Sequence, residues 1–175
     1  MPVTGETTLR VRYAETDQMG VVYYANFFVW FEVARVELMR HLGFSYKQME
    51  IEDDSFVVVA KANCTYKQPA KFDDVIRIRT QVSDSRKRTM LFSYEVFKDG
   101  ADSLIATGET LHVICDSKGR PKSLPDKYRI YFPLTHSAGA TATRSAHRLA
   151  KNPWRSPAMT SLSGSSIKSF TRATR

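Results

Sequence analysis

The sequence predicts an α+β fold in which a five-stranded antiparallel sheet wraps one long central helix. Three observations predict it. Apolar residues recur at helical spacing from Tyr24 to Leu42, four runs of strand character follow between Phe56 and Asp116, and one alternating run, Thr7 to Tyr13, precedes the helix. A helix and a sheet each carry an apolar face, and curling the sheet around the helix lets each cover the other.

The elements follow in order. Thr7 to Tyr13 alternates as a strand, and the polar segment Ala14 to Gly20 breaks it. In the helix, Phe27, Phe31, Ala34, Leu38 and Leu42 form one stripe, with Val29, Val33 and Val36 beside it. A helix apolar around so much of its girth is expected to be buried, in part by a second subunit. At 1.5 Å per residue it would span about 28 Å, enough to cross a small sheet. Gly43 is placed to stop it, and Ser45 with Gln48 has the spacing of a capping box for a short second helical turn. Phe56 to Tyr66 is the next strand, broken at Pro69. Val75 to Ser83 puts Ile76, Ile78, Thr80 and Val82 on one face; Thr89 to Lys98 does the same with Met90, Phe92, Tyr94 and Val96. Asp99-Gly100 supplies a hairpin turn into Leu104 to Asp116, and Ser117 to Pro121 is a further turn signal.

Residues 1–133 read as one domain. From Leu134 to Arg175 the composition shifts to Ser, Thr, Ala and Arg, a basic tail expected to be disordered. That tail holds seven of the basic residues and no Asp or Glu, so of the net charge of +8 it supplies +7 and leaves +1 for the domain. The domain is nearly neutral, and no nucleic-acid or membrane partner is expected for it. A salt-sensitive role of the tail stays open. Cys64 and Cys115 lie inside predicted strands without zinc spacing and read as buried, reduced thiols. The N-terminus lacks a basic region followed by an apolar one, and no stretch approaches the roughly 20 apolar residues of a membrane span, so a cytoplasmic setting is expected.

Common catalytic motifs are missing from the sequence: there is no GxSxG, HExxH, GxxxxGK[ST] or strand-borne GxGxxG. The four histidines, His41, His112, His136 and His147, are scattered. What remains is Asp17, in a loop before the long helix, with Gly20 allowing a close bend. The free N–H groups at a helix start can hold a carbonyl oxygen and the oxyanion it becomes, while a nearby carboxylate activates water or attacks the carbonyl itself. A thioester suits so sparse a site because a thiolate leaves with little acid help. On spacing alone, capping a turn or the helix is the commoner role of such a loop aspartate.

The run from Arg10 to Tyr23 resembles the active-site signature of the 4-hydroxybenzoyl-CoA thioesterase family: Arg10-Val11, four residues, Thr16-Asp17, two residues, Gly20, then apolar residues and a long helix. Glu32-Val33-Ala34-Arg35, the segment Tyr66 to Ala70 and the strand order resemble the family too, over about residues 6–132. The resemblance implies the hotdog fold and hydrolysis of acyl-CoA to free acid and CoA, with no metal or cofactor. It implies Asp17 as catalytic base or nucleophile and the backbone N–H near Tyr24 as the group that polarises the carbonyl. Members often carry His where this chain has Tyr24; the change removes one acid/base group and leaves the backbone donor.

Gly20, Val22 and Tyr23 fall in the same signature and are expected at the substrate. Glu32 either faces the acyl pocket or pairs with Arg35. In the family the pocket lies between two subunits, which implies a homodimer or homotetramer with the strand around Val59 to Thr65 lining the partner's pocket. Lys61, Arg86, Lys87 and Arg88 are candidates for the CoA phosphates, or form an ordinary solvated hairpin tip. Alternatives are an acyl carrier protein thioesterase and a non-catalytic acyl-CoA-binding protein.

Overall fold

The computed structural model describes residues 3–43, 45–100 and 103–132. The predicted tail, from Leu134 onward, lies outside the described residues. Five strands form one antiparallel sheet: β1 (Thr4–Arg10), β2 (Phe56–Tyr66), β3 (Val75–Ser85), β4 (Thr89–Lys98) and β5 (Ser103–Cys115), in the order β1-β3-β4-β5-β2. The helix α1 (Asn26–His41) lies against one face, mainly over β1 and β3, and a shorter helix α2 (Tyr46–Asp53) follows it. This is the predicted α+β architecture.

Alternation explains the sheet. Ile76, Ile78, Thr80 and Val82 of β3 and Met90, Phe92, Tyr94 and Val96 of β4 are buried against the helix, as the period-2 pattern predicts. The helix turns Phe27, Trp30, Phe31, Ala34 and Leu38 toward them. Phe31 stacks on Tyr94 at 4.3 Å between ring centres, and Gly108 makes room for it: a Cβ there would lie 2.4 Å from the Phe31 ring. Leu124, Tyr128 and Phe132, after β5, close the core.

Three expectations are corrected. β1 ends at Arg10, not Tyr13, because Val11 donates to the Asp74 carbonyl and the chain then tightens into a 3-10 turn, Tyr13–Glu15. The helix begins at Asn26 rather than Tyr24 and runs 16 residues, about 24 Å. Its valine stripe, expected to find part of its burial against a second subunit, leaves Val29 46% and Val33 41% exposed within one chain. No capping box forms at α2; Ser45 is the N-cap residue but its side chain makes no capping bond, and Gln48 donates to Glu52 instead.

Candidate active site

The site is built around a carboxylate that sequence reasoning overlooked. Glu15 closes the 3-10 turn and is only 4% exposed. Its Oε2 accepts the backbone N–H of Arg12 at 2.8 Å, and its Oε1 accepts the Arg12 guanidinium at 2.9 Å and the Trp30 indole N–H of α1 at 3.1 Å. Its own carbonyl accepts the Tyr23 N–H at 2.9 Å and the Asn26 side-chain amide at 2.8 Å. One residue thus ties β1's exit, the loop and the start of α1 together. Burial works to raise the Glu15 carboxyl, but the bonds from Arg12 and Trp30 outweigh it and hold the group below the usual glutamate range.

Between those ties the chain folds back on itself. Thr16 pairs with Val22, Asp17 donates its N–H to the Val21 carbonyl at 2.9 Å, and the Asp17 carbonyl accepts the Gly20 N–H at 3.0 Å. Gly20 takes a φ of 73°, which a side chain would strain. Val22 is buried and pinned to the Ala70 carbonyl at 2.8 Å. Asp17 is half-buried, and its Oδ1 accepts the Met19 N–H at 2.8 Å. The turn-capping reading therefore holds for one oxygen; the other makes no hydrogen bond among the described residues.

Tyr23 and Tyr24 form the turn into α1, ring centres 4.6 Å apart, both exposed. The carbonyls of Tyr23, Tyr24 and Ala25 accept the N–H groups of Asn26, Phe27 and Phe28 at 3.0, 3.3 and 3.1 Å. The N–H groups of Tyr24 and Ala25 find no protein acceptor among the described residues, which is the usual condition of a helix start and an anion-holding arrangement. Around this mouth Tyr13, Met19, Tyr23, Tyr24, Tyr66 and Phe72 leave large apolar surface exposed.

The remaining candidates sit apart. Glu32 is exposed and does not pair with Arg35, whose guanidinium turns inward toward the hydroxyls of Tyr46 and Tyr94. Lys61 is exposed midway along β2. The hairpin of Arg86, Lys87 and Arg88 lies past Ser85, at the opposite end of β3 from Val75, the partner of Arg10 and neighbour of the Asp17 loop. Those are the ends of an 11-residue strand, ten steps or about 34 Å apart, so within one chain the hairpin and Asp17 are not brought together. Arg86 is also occupied by Asp84 at 2.8 Å. Asn26, Trp30 and Tyr66 join the site unpredicted; the signal available for Glu15 was its spacing three residues after Arg12.

A five-stranded antiparallel sheet packed on one long helix, with an aspartate loop folded against open amides at the helix start, defines a hotdog protein of the thioesterase type. Residues 11–143 match the thioesterase-like superfamily, and this chain belongs to it. It is 35% identical over 130 residues to the putative acyl-CoA thioesterase YneP of Bacillus subtilis, covering 74% of this chain and 91% of the relative. It is 35% identical over 118 residues to the acyl-CoA thioester hydrolase YbgC of Escherichia coli, covering 67% and 87%. Among solved structures it is similar to the DHNA-CoA thioesterase of Staphylococcus aureus, with a TM-score of 0.65 and 32% identity over 74% of this chain and 84% of that one.

Proposed function

We propose that this chain hydrolyses acyl-CoA thioesters to a free carboxylic acid and CoA, with Asp17 as the catalytic carboxylate. The observation that carries the reading is the open oxygen of Asp17, held by a tight loop next to a helix start whose Tyr24 and Ala25 N–H groups have no protein acceptor. The substrate's carbonyl oxygen accepts from those amides, which stabilise the negative charge it gains as the carbonyl carbon becomes tetrahedral. Asp17 takes a proton from the attacking water, or attacks the carbon itself to form an anhydride that water then opens. In either course the C–S bond breaks, CoA leaves as thiolate and takes up a proton. Gly20, Val22 and Tyr23 shape the mouth, and Tyr24 contributes its backbone rather than its phenol.

The active unit in this reading is a homo-oligomer, at least a dimer. β2 is an edge strand, Val59 on it is 48% exposed, and the valines of α1 are open as well. A second copy covering that surface would also offer a route for its Lys61 or its Arg86 to Arg88 hairpin to reach CoA phosphates that the same chain's hairpin is too far to touch. The reading places the protein in the cytoplasm, a reducing setting in which its two free cysteines, Cys64 and Cys115, stay thiols.

The test is thiol release from short, medium, long and aromatic acyl-CoAs and from an acyl carrier protein thioester, with free CoA as competitor. Turnover of an acyl-CoA class, inhibited by free CoA, is the expected result. Turnover of the carrier-protein thioester alone, indifferent to CoA, would move the substrate to the carrier protein. Binding without thiol release would make the chain an acyl-CoA-binding protein.

A further inference from the structure

We infer that Tyr66 is a positioning residue for this site: its hydroxyl holds the Tyr24 carbonyl and thereby aims the helix-start amides at the thioester oxygen. The inference rests on the hydrolase reading above. Tyr66 is the last residue of β2 and pairs with the buried Ala106, which puts it on the helix side of the sheet. Its hydroxyl donates to the Tyr24 carbonyl at 3.1 Å. The ring is seated edge-on against Phe27 at 5.2 Å and near the Tyr24 ring at 6.5 Å.

The peptide plane turns this one bond into control of a donor. In a trans peptide the carbonyl and the following N–H point in opposite directions, so fixing the Tyr24 carbonyl fixes the Ala25 N–H. Among the described residues the only other donor to that carbonyl is the Phe27 N–H, at a long 3.3 Å. The preceding plane is held separately, since the Tyr23 carbonyl accepts the Asn26 N–H at 3.0 Å and so directs the Tyr24 N–H outward. A carbonyl that already accepts a hydrogen bond also polarises its amide, making the N–H a better donor. Burial, followed by the neighbouring Cys64 thiol, pushes the Tyr66 phenol up to about 12, so it stays a donor throughout the working range. β2 is thereby more than an edge of the sheet, because its last side chain is part of the site's frame.

Tyr66→Phe in the full-length protein removes the hydroxyl and keeps the ring on Phe27. The expected result is a fall of about five- to tenfold in kcat with KM within about twofold, the size of one neutral hydrogen bond lost from the transition state. The melting temperature should stay within a few degrees, and the Ala25 backbone 15N resonance should move, because its peptide carbonyl has lost a partner. An unchanged kcat, or an unmoved Ala25 resonance, would overturn the inference; so would a loss of activity that follows only a loss of stability. Failure of the wild type to release thiol would strike the hydrolase reading and the catalytic half of this inference, while a moved Ala25 resonance would still support the clamp.

Discussion

Two buried ionisable side chains make the fold sensitive to acid. His112 is fully buried on β5, its Nε2 against the Thr110 hydroxyl at 2.8 Å and its ring edge-on to Phe92, with Arg35 nearby. Burial first, and the Arg35 charge second, push it down to about 3, so it is neutral in the folded protein. An unfolded chain would protonate it below about 6.5, so its effect on stability is absent above that pH and turns destabilising as the pH falls toward 3. The slope from this one group is at most about 1.4 kcal/mol per pH unit. Glu15 has the opposite origin and the same direction: its folded carboxyl lies below the usual range, so its contribution is present above the unfolded value and is lost as pH falls through the folded one. The His112 contribution to urea unfolding falls between pH 7 and 5, and His112→Gln should flatten the dependence there. An equal slope in the variant would contradict this assignment. Neither environment was legible beforehand: His112 reads simply as a strand histidine, and nothing around Glu15 in the sequence announces that Trp30, fifteen residues on, will reach it.

At the scale of elements, β3 and β4 were the most legible because alternation has only two faces to choose between, and Ile76 to Val82 and Met90 to Val96 fill one of them. The helix was legible in kind but not in its surroundings. Phe27, Phe31, Ala34 and Leu38 pack inward, whereas Val29 and Val33, equally apolar, are open in the single chain; hydropathy does not distinguish a core from an interface between copies. The position of the basic hairpin depends on strand direction and order, and those place it about 34 Å from the Asp17 end. The open valines and the long β2 edge carry a prediction of their own. Val59→Lys should lower the mass measured by sedimentation or light scattering to that of one chain while the circular dichroism stays that of the folded protein. A wild type that already runs as a monomer, or a variant of unchanged mass, would contradict the proposed assembly.

Across the whole molecule, the charge asymmetry and the chemistry belong to different parts of the chain. The +7 of residues 134–175 lies outside the described residues, and the nearly neutral remainder carries the aspartate loop, the helix start and the aromatic mouth. The signature around Asp17 was legible because a short run holds both the carboxylate and the helix entry. The frame that holds it, Glu15, Trp30 and Tyr66, was not, since it comes from three different elements meeting in space. Everything proposed about catalysis depends on Asp17 doing chemistry and not only capping the turn through Met19. Asparagine at this position keeps an oxygen for that cap and loses the charge, so the comparison separates the two roles. The most direct measurement is kcat for thiol release by Asp17→Asn beside the wild type, on whichever acyl-CoA the wild type hydrolyses best. A loss of at least about a hundredfold with the fold and acyl-CoA binding retained is expected; a variant that turns over like the wild type would contradict catalysis by Asp17.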